Sequence, residues 1–128
     1  MKMPVNQVPR VLIVEDELMI VLMLESLLTE AGFEVTDVAT KVEAALAFVE
    51  AGAFDAAVLD ANLAGVSSAP VATALTARSI PFLVVSGYAT TQQNGAFAAG
   101  LHVQKPFQME ELIEALGTIL PNYARVEL

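Results

Sequence analysis

VLIVEDELMIVL (residues 11–22) runs an apolar stretch into three consecutive acids, Glu15, Asp16 and Glu17, and then turns apolar again at once. Adjacent carboxylates repel one another and resist burial, so packing alone gives no reason for them. VLIVE (11–15) reads as a buried strand, and the residues after the acids read as a helix over roughly 17–31 that Gly32 stops. Outward from this unit the same alternation recurs. EVTDVA (34–39) alternates as a half-exposed strand does, and its acids suit a sheet edge. KVEAALAFVEAG (41–52) reads as a helix ending at a glycine, and AAVLD (56–60) as a second buried strand. ANLAGVSS (61–68) reads as a loop, with Ser68 capping a helix from Pro70 to about Arg78. PFLVVS (81–86) is a further apolar strand, followed by a loop with a short helix. HVQ (102–104) is a brief strand, and MEELIEALGTIL (109–120) is an amphipathic helix that Pro121 ends.

Five strand–helix alternations predict a parallel sheet covered on both faces. The length of 128 residues suits one domain. Hydrophobic residues make up 55% and charged residues 16%, which predicts a folded core and not disorder. The net charge of −9 argues against nucleic acid and anionic membrane surfaces as partners, since both reward a basic footprint. Cysteine is absent and there is one histidine, which excludes disulfides, thiol chemistry and a histidine- or cysteine-based zinc site. MKMPVNQVP (1–9) reads as a flexible leader without the apolar stretch of a secretion signal, and 125–128 as a tail. The longest apolar run, Leu18 to Leu24, is too short to span a bilayer, so the cytoplasm is the expected compartment.

In open parallel sheets, function gathers beyond the carboxyl ends of the strands. Glu15 and Asp16 lie at the end of the first strand, Asp60 at the third, Ser86 at the fourth and Lys105 at the fifth. Three carboxylates, a hydroxyl and an amine are thus expected on one rim.

This set resembles the receiver domain of two-component response regulators, over about residues 10–124. The likeness rests on Glu15-Asp16 after an apolar strand, Asp60 ending VLD, Ser86 ending VVS, and Lys105-Pro106-Phe107. PFLVVSGY (81–88) is also similar to the PFxFATGY-like segment of a subgroup of stand-alone receivers, with departures at several positions. The resemblance implies a flavodoxin-like, doubly wound five-stranded parallel sheet of order 2-1-3-4-5. It implies that Asp60 accepts a phosphoryl group from a histidine kinase or a histidine phosphotransfer protein. Magnesium would neutralise charge, held by Glu15, Asp16, Asp60 and the backbone carbonyl of Asn62, because Mg²⁺ favours carboxylates, phosphate oxygens and retained water. Lys105 would meet a phosphoryl oxygen from the other side as a mobile point charge. Ser86 would donate its hydroxyl to the new phosphoryl group, and Asn62 and Tyr88 would tune how long that group survives. The family's aromatic switch residue falls by position at His102, neither phenylalanine nor tyrosine, so the chain either switches through an imidazole or does not use that switch.

Each assignment has an ordinary rival. Acids favour a helix N-terminus through the macrodipole, the reading preferred for Glu17. Lys105 alone would be a solvated lysine, Ser86 a turn residue, His102 a half-exposed strand residue and Asp55 a turn or cap residue. In the first helix Ile20, Leu24, Leu27, Leu28 and Ala31 form the stripe expected to face the sheet. Leu18, Met19, Leu22 and Met23 fall on the other side, where flanking loops cover them or a partner docks, the phosphohistidine carrier or a second copy forming a homodimer.

The resulting expectation is a single-domain response regulator whose output is protein–protein contact around the fourth helix, fifth strand and fifth helix, or which relays or drains phosphoryl groups. It would be no enzyme beyond its own phosphorylation and dephosphorylation. An aspartyl-phosphate phosphatase of the haloacid dehalogenase type would want an acid where Asn62 stands. A flavin binder would want a phosphate loop where EDE stands, and a non-phosphorylated scaffold would not need the five residues intact.

Overall fold

The computed structural model describes residues 8–87 and 95–120. Apolar β-rich segments form the strands of the main sheet: β1 (Arg10–Val14), β2 (Glu34–Ala39), β3 (Ala56–Asp60), β6 (Phe82–Ser86) and β7 (Leu101–Gln104). Between β3 and β6 stand the two-residue strands β4 (Asn62–Leu63) and β5 (Val66–Ser67). Among the described residues the α-helices are α1 (Leu18–Glu30), α2 (Val42–Ala51), α3 (Ala69–Ala77) and α4 (Met109–Ile119), with a single 3-10 turn at Gly95–Phe97. The main sheet has the order β2-β1-β3-β6-β7, with all of its pairings parallel. Counting only its five strands, this is 2-1-3-4-5, the flavodoxin-like arrangement. The order reverses after β2, so the carboxyl ends of β1 and β3 meet at the switch point.

Alternation along the strands divides the core in two. Val11, Ile13, Val58, Leu83 and Val85 pack with α1 and α4 on one face, while Leu12, Val14, Leu59, Phe82 and Val84 pack with α2 and α3 on the other. β3 is buried along its whole length, as a central parallel strand must be. Gly100 packs so tightly that a Cβ there would lie 2.5 Å from Phe82 Cε2 and 2.7 Å from Val84 Cγ2.

Three local readings need correction. The segment 61–68 is not a plain loop: Asn62 pairs with Ser67 and Leu63 with Val66, closing a hairpin over Ala64 (φ 52°) and Gly65 (φ 91°). Two consecutive left-handed residues match the primed turns that suit two-residue hairpins. Ser68 does precede α3, but its side chain makes no capping bond to that helix. On α1 the buried residues are Val21, Leu24 and Leu28, while Ile20 and Ala31 pack partly buried at the margin of the core. The stripe is therefore rotated by one residue at its start. Leu18, Met19, Leu22 and Met23 remain exposed, Met19 at 79%.

Candidate functional site

β1 delivers two consecutive acids into unlike surroundings. Glu15 is only 3% exposed, and its backbone N–H still donates to Ala39 O (3.0 Å) as though the strand continued. Its Oε2 accepts the Glu17 N–H at 3.1 Å. Asp16, the next residue, is half-buried and lines a cleft of about 450 Å³ with Thr40, Lys41, Glu43, Leu63, Ala64 and Val66. Glu17 stands at the helix start, the ordinary role expected of it.

Asp60 ends β3 across from β1 and is 7% exposed. Its Oδ1 accepts the Asn62 N–H at 3.0 Å, and its Oδ2 accepts a hydrogen bond from Lys105 Nζ at 3.1 Å. One carboxylate oxygen from each of Glu15, Asp16 and Asp60 lies within 4.8 Å of the others. Lys105 Nζ also stands 3.7 Å from Glu15 Oε1. The Lys105–Pro106 peptide is cis, and the Lys105 N–H donates to Ser86 O at 2.8 Å, which ties the ends of β6 and β7 together. Ser86 is half-buried at the end of β6.

Crowding three carboxylates has an electrostatic consequence. Burial pushes the Glu15 carboxyl up to about 7; the Glu17 N–H opposes this, the charge and hydrogen bonding of Asp60 add to it, and Lys105 opposes it. For Lys105, burial works against the charge, but the hydrogen bond to Asp60 and the charges of Asp60, Glu15 and Glu17 outweigh it and raise its pKa. Three carboxylates share the rim with the single ammonium of Lys105, which lies near two of them. The donors are all hard oxygens with no nitrogen or sulfur among the cluster, the set that suits Mg²⁺ and not a softer metal.

The remaining candidates distribute as follows. Asn62 sits beside Asp60 through its own N–H, but its side-chain oxygen accepts the Gly65 N–H at 2.6 Å and closes the hairpin turn. His102 is half-buried on the edge strand β7, opposite Val84. Tyr88 lies outside the described residues. Asp55 is remote from the rim: its carboxylate accepts the Arg10 N–H at 2.7 Å and pairs with the Arg10 guanidinium at 3.3 Å. One residue of the site escaped the sequence reading. Ser68 is fully buried, and its hydroxyl donates to the Asp60 carbonyl at 2.6 Å. The only sequence signal was a small polar residue before a helix, which fits a cap equally well.

Among the described residues no helix is long and apolar enough to cross a membrane. Comparison with curated proteins finds no match. Among solved structures, SdrG from Sphingomonas melonis Fr1 is 40% identical, with a TM-score of 0.76 over 92% of this chain and 99% of that one. A response regulator receiver protein from Sinorhizobium medicae WSM419 is 27% identical, with a TM-score of 0.77 over 90% of this chain and 96% of that one. The receiver domain of the sensor histidine kinase PA1611 from Pseudomonas aeruginosa PAO1 carries a magnesium ion coordinated in its active-site cleft. It is 22% identical, with a TM-score of 0.78 over 90% of this chain and 99% of that one, a likeness of fold. The family model for the response regulator receiver domain matches residues 11–117. With a strand-end acid cluster suited to Mg²⁺ and to aspartate phosphorylation on a sheet of this order, the chain belongs to the response regulator receiver domain family, the receiving module of two-component signalling.

Proposed function

We propose that this chain accepts a phosphoryl group on Asp60 from a histidine kinase or a histidine phosphotransfer protein, with Mg²⁺ as cofactor, and signals or relays through protein–protein contacts. One observation carries the reading: the carboxylates of Glu15, Asp16 and Asp60 share one 4.8 Å cluster while Lys105 Nζ holds Asp60 Oδ2 at 3.1 Å. An Asp60 oxygen forms the new O–P bond as the donor's P–N bond breaks, and the imidazole leaves with that electron pair. Phosphoryl transfer depends on positioning and charge neutralisation more than on covalent help. Glu15, Asp16, Asp60 and the Asn62 carbonyl are the residues to hold magnesium, which when bound neutralises the incoming phosphoryl oxygens. Lys105 supplies the opposing positive charge, and Ser86 at the end of β6 donates its hydroxyl to the phosphoryl group.

Asn62 and Tyr88 tune the lifetime of the acyl phosphate, and His102 takes the place of the family's aromatic switch on β7. The exposed Leu18, Met19, Leu22 and Met23 begin on the residue after Glu17, beside the acid rim, and form the docking patch for the phosphohistidine carrier. The chain catalyses only its own phosphorylation and dephosphorylation. Mass spectrometry after treatment with acetyl phosphate and Mg²⁺ tests the reading. The parent chain gains one phosphoryl group on Asp60, and Asp60→Asn gains none; labelling of that variant would move the acceptor elsewhere.

A further inference from the structure

Two serines stand side by side before α3 and do different things. Ser67 is exposed, and its Oγ accepts the Ala69 N–H at 3.2 Å, a local bond at the helix start. Ser68 has no exposed surface, and its hydroxyl turns away from the helix to the Asp60 carbonyl at 2.6 Å. A hydroxyl buried among apolar neighbours is a burden unless it is hydrogen-bonded, and alanine would serve the packing equally well. A short O–H···O bond to the acceptor's own carbonyl compensates for that burden.

The Ser68 backbone is engaged on both sides as well. Its N–H donates to Ala61 O at 3.0 Å, and its carbonyl accepts the N–H groups of Val71 (2.9 Å) and Ala72 (3.2 Å) in the first turn of α3. Ala61 N–H in turn donates to Val85 O at 3.0 Å on β6. Both carbonyls at the exit of β3, those of Asp60 and Ala61, are therefore held by this one residue. The segment between, 61–67, is the hairpin that contains Asn62, whose N–H holds Asp60 Oδ1 and whose carbonyl is the expected fourth oxygen of the metal seat. Ser68 closes that segment onto the peptide of the acceptor.

We propose that Ser68 is a positioning residue for phosphoryl transfer: its hydroxyl fixes the carbonyl of Asp60 and closes the hairpin, which holds the acceptor carboxylate and the Asn62 carbonyl in register. This rests on the reading of Asp60 as acceptor. Misplacement of reacting groups by about 1 Å costs up to roughly a hundredfold in rate, so loss of one anchor among several should cost about tenfold.

The test compares initial rates of phosphorylation of the full chain by acetyl phosphate, over a range of donor concentrations at saturating Mg²⁺. All measurements are made at a temperature where circular dichroism shows every variant folded. In Ser68→Ala the plateau rate falls about tenfold while the half-saturating donor concentration changes by less than about twofold. Ser68→Thr, which restores the hydroxyl, recovers the plateau to within about threefold. Leu75→Val, a loss of packing in buried α3, lowers the melting temperature and leaves the plateau unchanged. A parent-like plateau in Ser68→Ala, an equal fall in Leu75→Val, or a Thr variant as slow as the Ala variant overturns the proposal. If Ser68→Ala does not fold, Ser68→Cys takes its place under the same criteria. Failure of the underlying reading looks different: the parent chain is not labelled at all, or Asp60→Asn still is.

Discussion

Replacing Glu15 by glutamine should stabilise the metal-free protein at neutral and higher pH while weakening its response to magnesium. Glu15 is 3% exposed, and burial, reinforced by Asp60, lifts its carboxyl to about 7 from an ordinary value of 4.5. Across that window the folded chain keeps a proton that the unfolded chain has released. Stability associated with this group is therefore complete below about pH 4.5, falls as pH rises through about 7, and is flat above. At about 1.4 kcal/mol per pH unit, the whole window is worth about 3 kcal/mol. Glutamine cannot ionise, and its carbonyl can still accept the Glu17 N–H. Urea denaturation followed by far-ultraviolet circular dichroism is the suitable assay, since the chain has no tryptophan. In the metal-free protein, Glu15→Gln should match the parent near pH 4.5 and exceed it by up to about 3 kcal/mol near pH 8. Millimolar Mg²⁺ must displace the proton, so it should raise the parent's melting temperature more near pH 8 than near pH 6, and raise the variant's less at both. A variant with the parent's pH profile, or one less stable than the parent near pH 8, refutes the argument.

Further outcomes follow from the same geometry. Lys105→Met removes the amine 3.1 Å from Asp60 Oδ2. At the effective dielectric of a partly buried site it should tighten Mg²⁺ binding about five- to tenfold by calorimetry and slow phosphorylation; weaker Mg²⁺ binding would contradict this. Gly100→Ala places a Cβ against Phe82 and Val84 and should cost about 1–3 kcal/mol in urea denaturation. Leu22→Lys changes an exposed residue (54%) and should leave the melting temperature and acetyl phosphate labelling unchanged while slowing transfer from a phosphohistidine carrier about tenfold. Normal transfer kinetics in that variant would remove the docking patch.

Apolar runs and their acidic ends made the strands, their parallel arrangement and the acid rim legible in the sequence. VLIV and AAVL are short apolar runs that only the middle of a covered sheet can bury; Glu15-Asp16 follows the first directly and Asp60 the second. Lys105 was marked by the Pro106-Phe107 that follows it, and its Nζ stands 3.1 Å from Asp60 Oδ2. The hairpin at 62–67 was not legible, because strands of two residues have no periodicity to read. Nor was the rotation of α1 that buries Val21: a helix with apolar residues on both sides can present either, and packing into the core selects one.

What the sequence determined by itself was the local grammar: which segments are strands, which are helices, and which chemical groups stand where a strand ends. Tertiary structure decided the distances and the partners. Glu15 and Asp16 are neighbours in the chain, yet only the fold buries the first and leaves the second on an open cleft. Ser67 and Ser68 are likewise adjacent and alike, yet the hydroxyl of one accepts the neighbouring Ala69 N–H and that of the other holds the Asp60 carbonyl. The physical reason is that propensity and periodicity act over a few residues, whereas desolvation, charge coupling and choice of hydrogen-bond partner depend on which segments the closed sheet brings within a few ångströms of each other.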